Sequence, residues 1–402
     1  MKKSTSQIEI PQLPFSVIEA KIRGRIRAAI EECLDEELDA ALGAGRHERT
    51  EGRQGYRHGT KPARTVVTSF GVTEISQPRG RLKTPDGHEE FEGQLLGRYR
   101  RRTKEVDSAI LNCYLAGANT RKVKLALRPL FKATAMSRSS VSRVVRRLKE
   151  HFEAWRGRDL SAEYYAYLIA DAMRLPVRLA RRVVKVPVQV VLGVREDGEK
   201  ELLELRIAPS ESLRAWQGVM EGLASRGLPA PVAVVVDGNK GLVSAVERAW
   251  PESGIQRCTK HKLENLKAAA PRHAHGEIAR DYRAIVDAAD LEEARKVYRS
   301  FVRKWEKLVP AVARSLEEGG EQLLTFYRFP RQQWKSLRTT NMIERLNGEL
   351  RRRTKTQGSF PNENSALVML YGLLATQMIK LRKIDGYQKM EEVIGRFSKR
   401  AA

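Results

Sequence analysis

Apolar residues near the start of the chain recur at every fourth position. Between Phe15 and Leu42 they form a single stripe, with charged residues at many of the other positions. The stripe consists of Ile18, Ile22, Ile26, Ile30, Leu34, Leu38 and Leu42. This spacing keeps the side chains on one face of an α-helix, so it predicts an amphipathic helix. Residues 43–59 are rich in Gly, Arg and His and have no periodicity, which predicts a basic loop.

The next stretch contains two patterns that are typical of a small DNA-binding region. Residues 63–78 are rich in β-branched residues around Phe70 and Gly71, which predicts a hairpin. The later segment MSRSSVSRVVRRLKEHFEAW has the period of a helix, with Val141, Val144, Val145 and Leu148 on one side. Its basic side chains Arg143, Arg146 and Arg147 then face DNA, as in a helix-turn-helix. A solvated basic helix without DNA is the alternative interpretation.

From Tyr164 onward, short apolar runs alternate with helical patterns, as in an α/β domain. The runs YYAYLIAD, VQVVLGV and LLELRIA predict an antiparallel meander. PVAVVVDG is fully apolar and predicts a fourth strand inside the sheet, and GIQRC predicts a short fifth strand. Helices are predicted at Ser212 to Leu223 and at Asn239 to Trp250. Residues 262–335 are helical in pattern throughout.

The charge of the chain indicates its partner. Lys and Arg number 74 against 49 Asp and Glu, which gives a net charge of +25. A polyanion is therefore expected, and nucleic acid, with double-stranded DNA as the predicted partner, is preferred over a membrane surface because no stretch offers the ~20 apolar residues of a membrane span. No apolar run near the N-terminus resembles a secretory signal. Because the 3 cysteines are widely spaced, a disulfide framework is not expected, and we predict a cytoplasmic protein.

Two carboxylates follow predicted strands of the sheet. Asp171 is predicted to end the first strand and Asp237 the fourth, so both lie where a strand meets a loop. Phosphodiester chemistry uses hard oxygen ligands to hold Mg²⁺, commonly as a pair of ions, and a third carboxylate is then expected. Glu344 in RTTNMIERLNGELRRR is the candidate. Alternatively, Asn341 is a helix N-cap and Glu344 is its capping-box partner.

Three further features surround Glu344 in the sequence. Glu349 is a second carboxylate, but five residues along a helix place it on a different face. The run Arg351, Arg352 and Arg353 suits a phosphate backbone, or is a solvated charge run. Trp334 is a candidate for stacking on an unpaired base and an equally good candidate for a core position.

Several of these segments resemble those of the bacterial Mutator-like insertion-sequence transposases. The resemblance is carried by SRSSVSRVV, DGNKGLVSAVERAWP, QRCTKHKLENL and LLTFYRFPRQQWKSLRTTNMIERLNGELRRRTKTQGSFPN, and it extends from the N-terminal helix almost to the C-terminus. It implies a ribonuclease H-like catalytic domain in which Asp171, Asp237 and Glu344 hold Mg²⁺, with Mn²⁺ as a possible substitute. It also implies a helical insertion before Glu344, a dimer or larger assembly on DNA, and a bacterial, nucleoid-associated protein.

The Cys-x-x-His element of this family falls on Cys258 and His261. These are half of a zinc site, so packing or bracing of the active site is the preferred interpretation. Around the first Asp, many members carry an aromatic residue and Lys, whereas this chain has DAMRLPVR, with Arg174.

The sequence thus predicts an α/β fold with a ribonuclease H-like mixed sheet and an all-helical insertion, preceded by a mainly helical DNA-binding region with a small β-hairpin. The predicted divisions are 1–60, 61–160, 161–261, 262–335 and 336–402. The predicted activity is hydrolysis of phosphodiester bonds at the ends of a mobile element, followed by strand transfer into target DNA. The alternatives are a DNA-binding regulator without catalysis and a related metal-dependent DNA nuclease.

Overall fold

The computed structural model describes residues 15–97, 100–118, 120–131 and 138–398. It divides into two compact units, one up to Arg146 and one from Arg147 onward. We describe each unit by itself.

The first unit begins with helix α1 (Phe15–Leu42), as the apolar stripe predicts. Only the last part of the stripe is buried, at Leu34, Leu38 and Leu42, whereas Ile18 and Ile22 are 41% and 47% exposed. The buried part lies against two short strands through a cluster that consists of Leu34, Val66, Ile75 and Leu96. Cys33, beside the stripe, is exposed, although free cysteines are commonly buried as small core residues.

The predicted hairpin is present as strands β2 (Arg64–Thr68) and β3 (Gly71–Ile75), which pair antiparallel. The structure also contains a sheet that the sequence did not predict, with the order β1, β4, β5. Its strands are β1 (Gly55–Thr60), β4 (Pro78–Thr84) and β5 (Gly87–Glu90). The end of the predicted basic loop is therefore strand β1. These strands are polar and glycine-containing, so they lack the apolar alternation by which a strand is recognised in a sequence.

Three helices complete the first unit. They are α2 (Lys104–Leu115), α3 (Thr120–Phe131) and α4 (Arg138–Arg156), and the division between the two units falls within α4. Val141 and Val144 of α4 lie in an apolar cluster with residues of α2 and α3. Arg143, Arg146 and Arg147 are exposed, as predicted. Residues 132–137, where a helix-turn-helix would have its turn, lie outside the described residues.

The second unit is built on a mixed five-stranded sheet with the order β10, β9, β6, β7, β8. The strands are β6 (Tyr165–Leu179), β7 (Arg182–Arg195), β8 (Lys200–Ile207), β9 (Ala233–Val236) and β10 (Gly254–Arg257). Strands β6, β7 and β8 form the predicted antiparallel meander, and β9 and β10 join in parallel orientation beside β6. The fully apolar strand β9 is interior, as predicted.

Strand β6 continues well beyond Asp171, so the prediction that Asp171 ends this strand is wrong. The parallel pairing with β9 does stop at Ala170, but the antiparallel pairing with β7 continues to Leu179. The extension contains Pro176, which normally argues against an interior strand. The proline is tolerated because, among the described residues, β7 is the only sheet strand that pairs with this part of β6.

Helices cover both faces of the sheet. On one face, α5 (Leu213–Ser225) and α6 (Lys240–Ala249) pack on a large apolar core that includes Trp216 and Ala170. Ser212 and Asn239 cap these helices by accepting backbone N–H groups. Because side chains alternate along a strand, Asp171 points to the opposite face from Ala170, toward helix α12 (Asn341–Thr354).

The chain between β10 and α12 is helical, in agreement with the sequence pattern. Its helices are α7 (Thr259–Ala268), α8 (His275–Val286), α9 (Leu291–Leu308), α10 (Pro310–Gly319) and α11 (Arg331–Leu337). Helices α13 (Glu363–Ala375) and α14 (Met390–Ser398) follow α12. Within the described ranges, none of the helices has the length and apolar character needed to cross a membrane.

Candidate active site

Asp171 and Asp237 are brought together by the pairing of two parallel strands. The last paired residues of β6 and β9 are Ala170 and Val236. Each aspartate is the next residue of its own chain segment, so the two lie side by side where β9 ends and β6 continues. Asp237 begins the turn into α6, and its Oδ1 accepts the backbone N–H of Asn239 at 2.9 Å.

Both oxygens of Asp171 are held by the protein. Oδ1 accepts the backbone N–H of Ala172 at 2.8 Å, and Oδ2 accepts Nδ2 of Asn347, on helix α12, at 2.8 Å. Burial, followed by the negative charge of Asp237, raises the pKa of Asp171 to about 6. Glu344 adds to this rise more weakly, and His261 opposes it. These groups therefore share one electrostatic environment.

Glu344 lies in the first turn of α12, on the helix that also carries Asn347. The capping-box alternative is wrong, because the N-cap residue is Thr340 and Asn341 is already helical. The carboxylate of Glu344 accepts hydrogen bonds from the Thr340 hydroxyl at 3.0 Å and from Nζ of Lys260 at 2.8 Å. Burial alone would raise the pKa of Glu344, but these two hydrogen bonds, together with the positive charges of Lys260 and His261, outweigh it and the pKa is lowered.

Cys258 and His261 lie beside Glu344. Each of the three residues offers one possible metal-ligand atom, from its thiol, imidazole or carboxylate. These atoms lie within 4.8 Å of one another, so the three residues could hold a metal ion. Thiol and imidazole suit zinc better than magnesium. The buried Sγ of Cys258 also accepts the backbone N–H of Thr340 at 3.5 Å. That contact ties the end of β10 to the start of α12, in keeping with the bracing interpretation of Cys258.

Two residues of this site were missed by sequence reasoning. Lys260 lies between the two members of the Cys-x-x-His element, and its basic side chain gave no reason to single it out. Asn347 is three residues after Glu344, a spacing that places both on one helix face. That spacing is the signal by which Asn347 could have been found. Its side chain is buried, and its Oδ1 has no hydrogen-bond partner among the described residues.

Comparison with known proteins identifies the chain. The family model described as "Transposase, Mutator family" matches residues 2–381. The chain belongs to the Mutator family of transposases. Among its relatives, the transposase for insertion sequence element ISRM5 of Rhizobium meliloti is 37% identical over 88% of this chain and 86% of the relative. The transposase for IS256 in transposon Tn4001 of Staphylococcus aureus is 33% identical over 80% of each chain.

Among solved structures, the Drosophila P element transposase strand transfer complex aligns with a TM-score of 0.39 and 11% identity. The alignment covers 69% of this chain and 92% of that one.

In this Mutator-family chain, the basic run on α12 is partly engaged with its own helix. Arg352 and Arg353 contact the carboxylate of Glu349 at 2.6 and 3.6 Å, and Arg351 donates to the backbone oxygen of Asn347 at 3.3 Å. Glu349 is thus directed toward arginines of its own helix. Arg351 and Arg352 are exposed and Arg353 is half-buried, so phosphate contact by this run stays a prediction.

Trp334 lies in an aromatic cluster with Phe326 and Tyr327, with ring centroids 5.7 and 4.7 Å away. Its indole N–H donates to the backbone oxygen of Phe329 at 2.8 Å. These contacts favour the packing interpretation of Trp334.

Proposed function

We propose that this chain is a DNA transposase that cuts at the ends of a mobile element and joins the exposed ends to target DNA. The catalytic unit is ribonuclease H-like in this proposal. Its support is the sheet, in which an antiparallel meander of three strands is extended by two parallel strands beside the first. The observation that carries the proposal is the pairing of Ala170 with Val236, which sets Asp171 beside Asp237.

The residues at this site fit a divalent metal ion with oxygen ligands. Asp171 and Asp237 present adjacent carboxylates, and the pKa of Asp171 is raised to about 6 partly because of their repulsion. A cation placed between them relieves that repulsion, and Glu344 supplies the third carboxylate from α12. Mg²⁺ is the proposed ion, with Mn²⁺ as a substitute. When bound, such ions polarise the phosphate and favour ionisation of the attacking hydroxyl or water.

The proposed reaction has two steps. In the first, water attacks the phosphorus at the element end, the bond from phosphorus to the 3′ oxygen breaks, and a 3′-OH and a 5′-phosphate result. In the second, that 3′-OH attacks a phosphorus of the target, whose own 3′ oxygen leaves. Asp171, Asp237 and Glu344 orient the reacting groups in both steps, and Asn347 holds Asp171. DNA at both ends of the element is expected to be bound by a dimer or a larger assembly.

The test is to change Asp171, Asp237 and Glu344 singly to Ala and to assay cleavage and strand transfer. The substrate is a labelled duplex that carries the ends of the element, with Mg²⁺ or Mn²⁺ and with or without target DNA. Each change is expected to lower the cleavage rate by roughly a thousandfold or more, as for other essential catalytic groups. Glu349→Ala is the matched control. Glu349 is an acidic residue on the same helix as Glu344, and its carboxylate contacts Arg352.

Three outcomes distinguish the proposed function from its alternatives. Unchanged cleavage in all three variants, with DNA binding and folding intact, contradicts the site. Cleavage without a joined product identifies a nuclease, and DNA binding without any cleavage by the unaltered chain identifies a regulator.

A further inference from the structure

The hairpin of β6 and β7 extends beyond the sheet as a two-stranded arm, which we define as residues 174–187. Pairing with β9 stops at Ala170 and pairing with β8 begins at Val188, so neither neighbouring strand reaches the arm. The arm is fixed from one side by Phe360. The backbone N–H of Arg178 donates to the Phe360 oxygen at 2.8 Å, and the Phe360 N–H donates to the Pro176 oxygen at 2.9 Å.

The arm concentrates positive charge on an exposed surface. Its cations, all exposed, are Arg174, Arg178, Arg181, Arg182 and Lys185. There is no acidic residue anywhere in residues 172–195. In the described part of the chain only one of these cations forms an ion pair, Arg174 with Glu211 at 3.4 Å. A dense set of exposed cations without compensating acids is the electrostatic pattern of a surface that binds a polyanion.

The alternation of side chains separates the two faces of the arm. Met173, Leu175 and Val177 continue the face of Asp171 and are buried. Arg174, Arg178 and Lys185 belong to the other face and are exposed. The apolar face therefore anchors the arm, and the basic face is open to a partner.

The turn at the tip adds an independent observation. Ala180 and Arg181, the two turn residues, both have positive φ angles, 45° and 66°. A two-residue hairpin turn of this kind favours Asn-Gly, because other residues are strained there. Strain of this type persists at sites where function requires a particular side chain. Here the residue in the strained position is an exposed arginine.

We propose that the arm binds the phosphate backbone of duplex DNA beside the cleavage site. This inference rests on the proposed function, because it takes the DNA to have its scissile phosphate at Asp171. Arg178 is 178 − 171 = 7 residues further along the same strand, which corresponds to roughly 23 Å at about 3.3 Å per residue. At roughly 3.4 Å per base pair, that length spans about seven base pairs. The arm can thus reach the duplex up to about seven base pairs from the cut.

The first experiment measures DNA binding without catalysis. The triple variant Arg178→Gln, Arg181→Gln, Lys185→Gln is titrated against a labelled duplex of mixed sequence in EDTA, and fluorescence anisotropy is followed over a range of salt concentrations. We expect affinity to fall by about tenfold or more. The slope of log affinity against log salt should shrink by between about two and three, since each lost phosphate contact contributes about 0.9.

The matched control removes the same charge elsewhere. Arg299, Arg303 and Lys307 are exposed on α9, and changing all three to Gln gives the same net charge as the arm variant. A clearly smaller loss in this control supports the arm as a specific contact. An equal loss in both variants, or no loss in the arm variant, overturns the proposal. Weakened self-association with unchanged DNA affinity also overturns it, since the arm then contacts a second copy of the chain.

A second variant separates binding from folding. Ala180→Asn with Arg181→Gly gives the turn its preferred residues and removes the cation at the tip. We expect a higher thermal unfolding midpoint together with weaker DNA binding, a combination that damage to the fold cannot produce. Unchanged binding overturns a role for the tip. Because these measurements need no cleavage, a failure of the arm to bind DNA is distinguished from a failure of the catalytic site, which the Asp171, Asp237 and Glu344 variants test.

Discussion

Asp171 on the sheet and Glu344 on α12 are brought to the same site, but they differ in what surrounds them. Asp171 accepts hydrogen bonds from two uncharged N–H groups and lies beside another carboxylate, and its pKa is raised. Glu344 accepts a hydrogen bond from the ammonium of Lys260, and its pKa is lowered. The sheet therefore presents uncompensated negative charge, whereas the helix presents a carboxylate that is already paired.

This difference assigns separate roles to the two parts of the site. Backbone pairing places the two aspartates side by side, and a divalent cation that binds both carboxylates would relieve their repulsion. In the proposed mechanism, Glu344 would exchange Lys260 for the ion. The sheet pair would then be the primary anchor of the metal, and the helix carboxylate would join once its ion pair is broken.

Among the variants that test this difference between Asp171 and Glu344, we expect the largest effect on cleavage at Asn347. Its hydrogen bond to Asp171 connects α12 to the sheet. Asn347→Ala removes the donor to Asp171, and Asn347→Asp replaces it with a further negative charge of the same shape. We expect cleavage to fall by about 10 to 100-fold at limiting Mg²⁺, the usual effect of losing a residue that supports a metal ligand. The aspartate variant adds a negative charge beside the proposed ion, so it should need a lower Mg²⁺ concentration for half-maximal rate than the alanine variant.

The measurement is the Mg²⁺ dependence of end cleavage, with DNA affinity determined separately. Asn347→Gln, which keeps the amide, should recover part of the activity of the alanine variant. Equal Mg²⁺ dependence in all three variants and the unaltered chain contradicts a positioning role for Asn347.

The parts of this site that could be predicted from the sequence are those encoded locally. Apolar runs identified the strands of the second unit. Ser212 and Asn239 marked the starts of two predicted helices, and in the structure they cap those helices. Asp237 directly follows its apolar run, so its position at a strand end was predicted correctly. The extension of β6 was missed because its alternating basic residues and Pro176 do not resemble an interior strand.

What could not be predicted depends on contacts between distant residues. Asn347 and Asp171 are separated by 176 positions, so the sequence around either residue gives no sign of the hydrogen bond between them. The exposure of Ile18 and Ile22 could not be predicted for the same reason. The apolar stripe predicts a helix, but how much of that helix is buried depends on contacts with distant residues. Strand β1 is likewise defined by its partner β4 and not by its own polar sequence.

A smaller effect is expected in the free energy of unfolding when Asp171 is changed. This measurement tests directly whether the charge of Asp171 destabilises the fold. The pKa of Asp171 is raised from 3.8 to about 6, so the folded chain binds this proton more tightly than the unfolded chain does. Stability is therefore lost as pH rises from about 4 to 6, and it stays reduced at neutral pH. Asp171→Asn should raise the free energy of unfolding at pH 7 by roughly 1 to 3 kcal/mol in EDTA.

Urea unfolding at several pH values measures this difference, which should vanish below pH 4 and shrink when Mg²⁺ is added. Asp197→Asn is the control, since a hydrogen bond from the Glu199 backbone lowers the pKa of this exposed aspartate and the effect should have the opposite sign. An Asp171→Asn variant that is no more stable at pH 7 than the unaltered chain contradicts the view that the sheet holds uncompensated charge.

The smallest effect is expected at Lys260, which is half exposed and pairs with Glu344 across 2.8 Å. Lys260→Met should change the free energy of unfolding by less than about 1 kcal/mol, as for most exposed ion pairs. Because Glu344 no longer has to leave an ammonium group, half-maximal cleavage should need a few-fold less Mg²⁺. Lys267→Met on the same helix is the matched control. A higher Mg²⁺ requirement in the Lys260 variant reverses the argument, since it means that the ammonium group prepares Glu344 for the metal and does not compete with it.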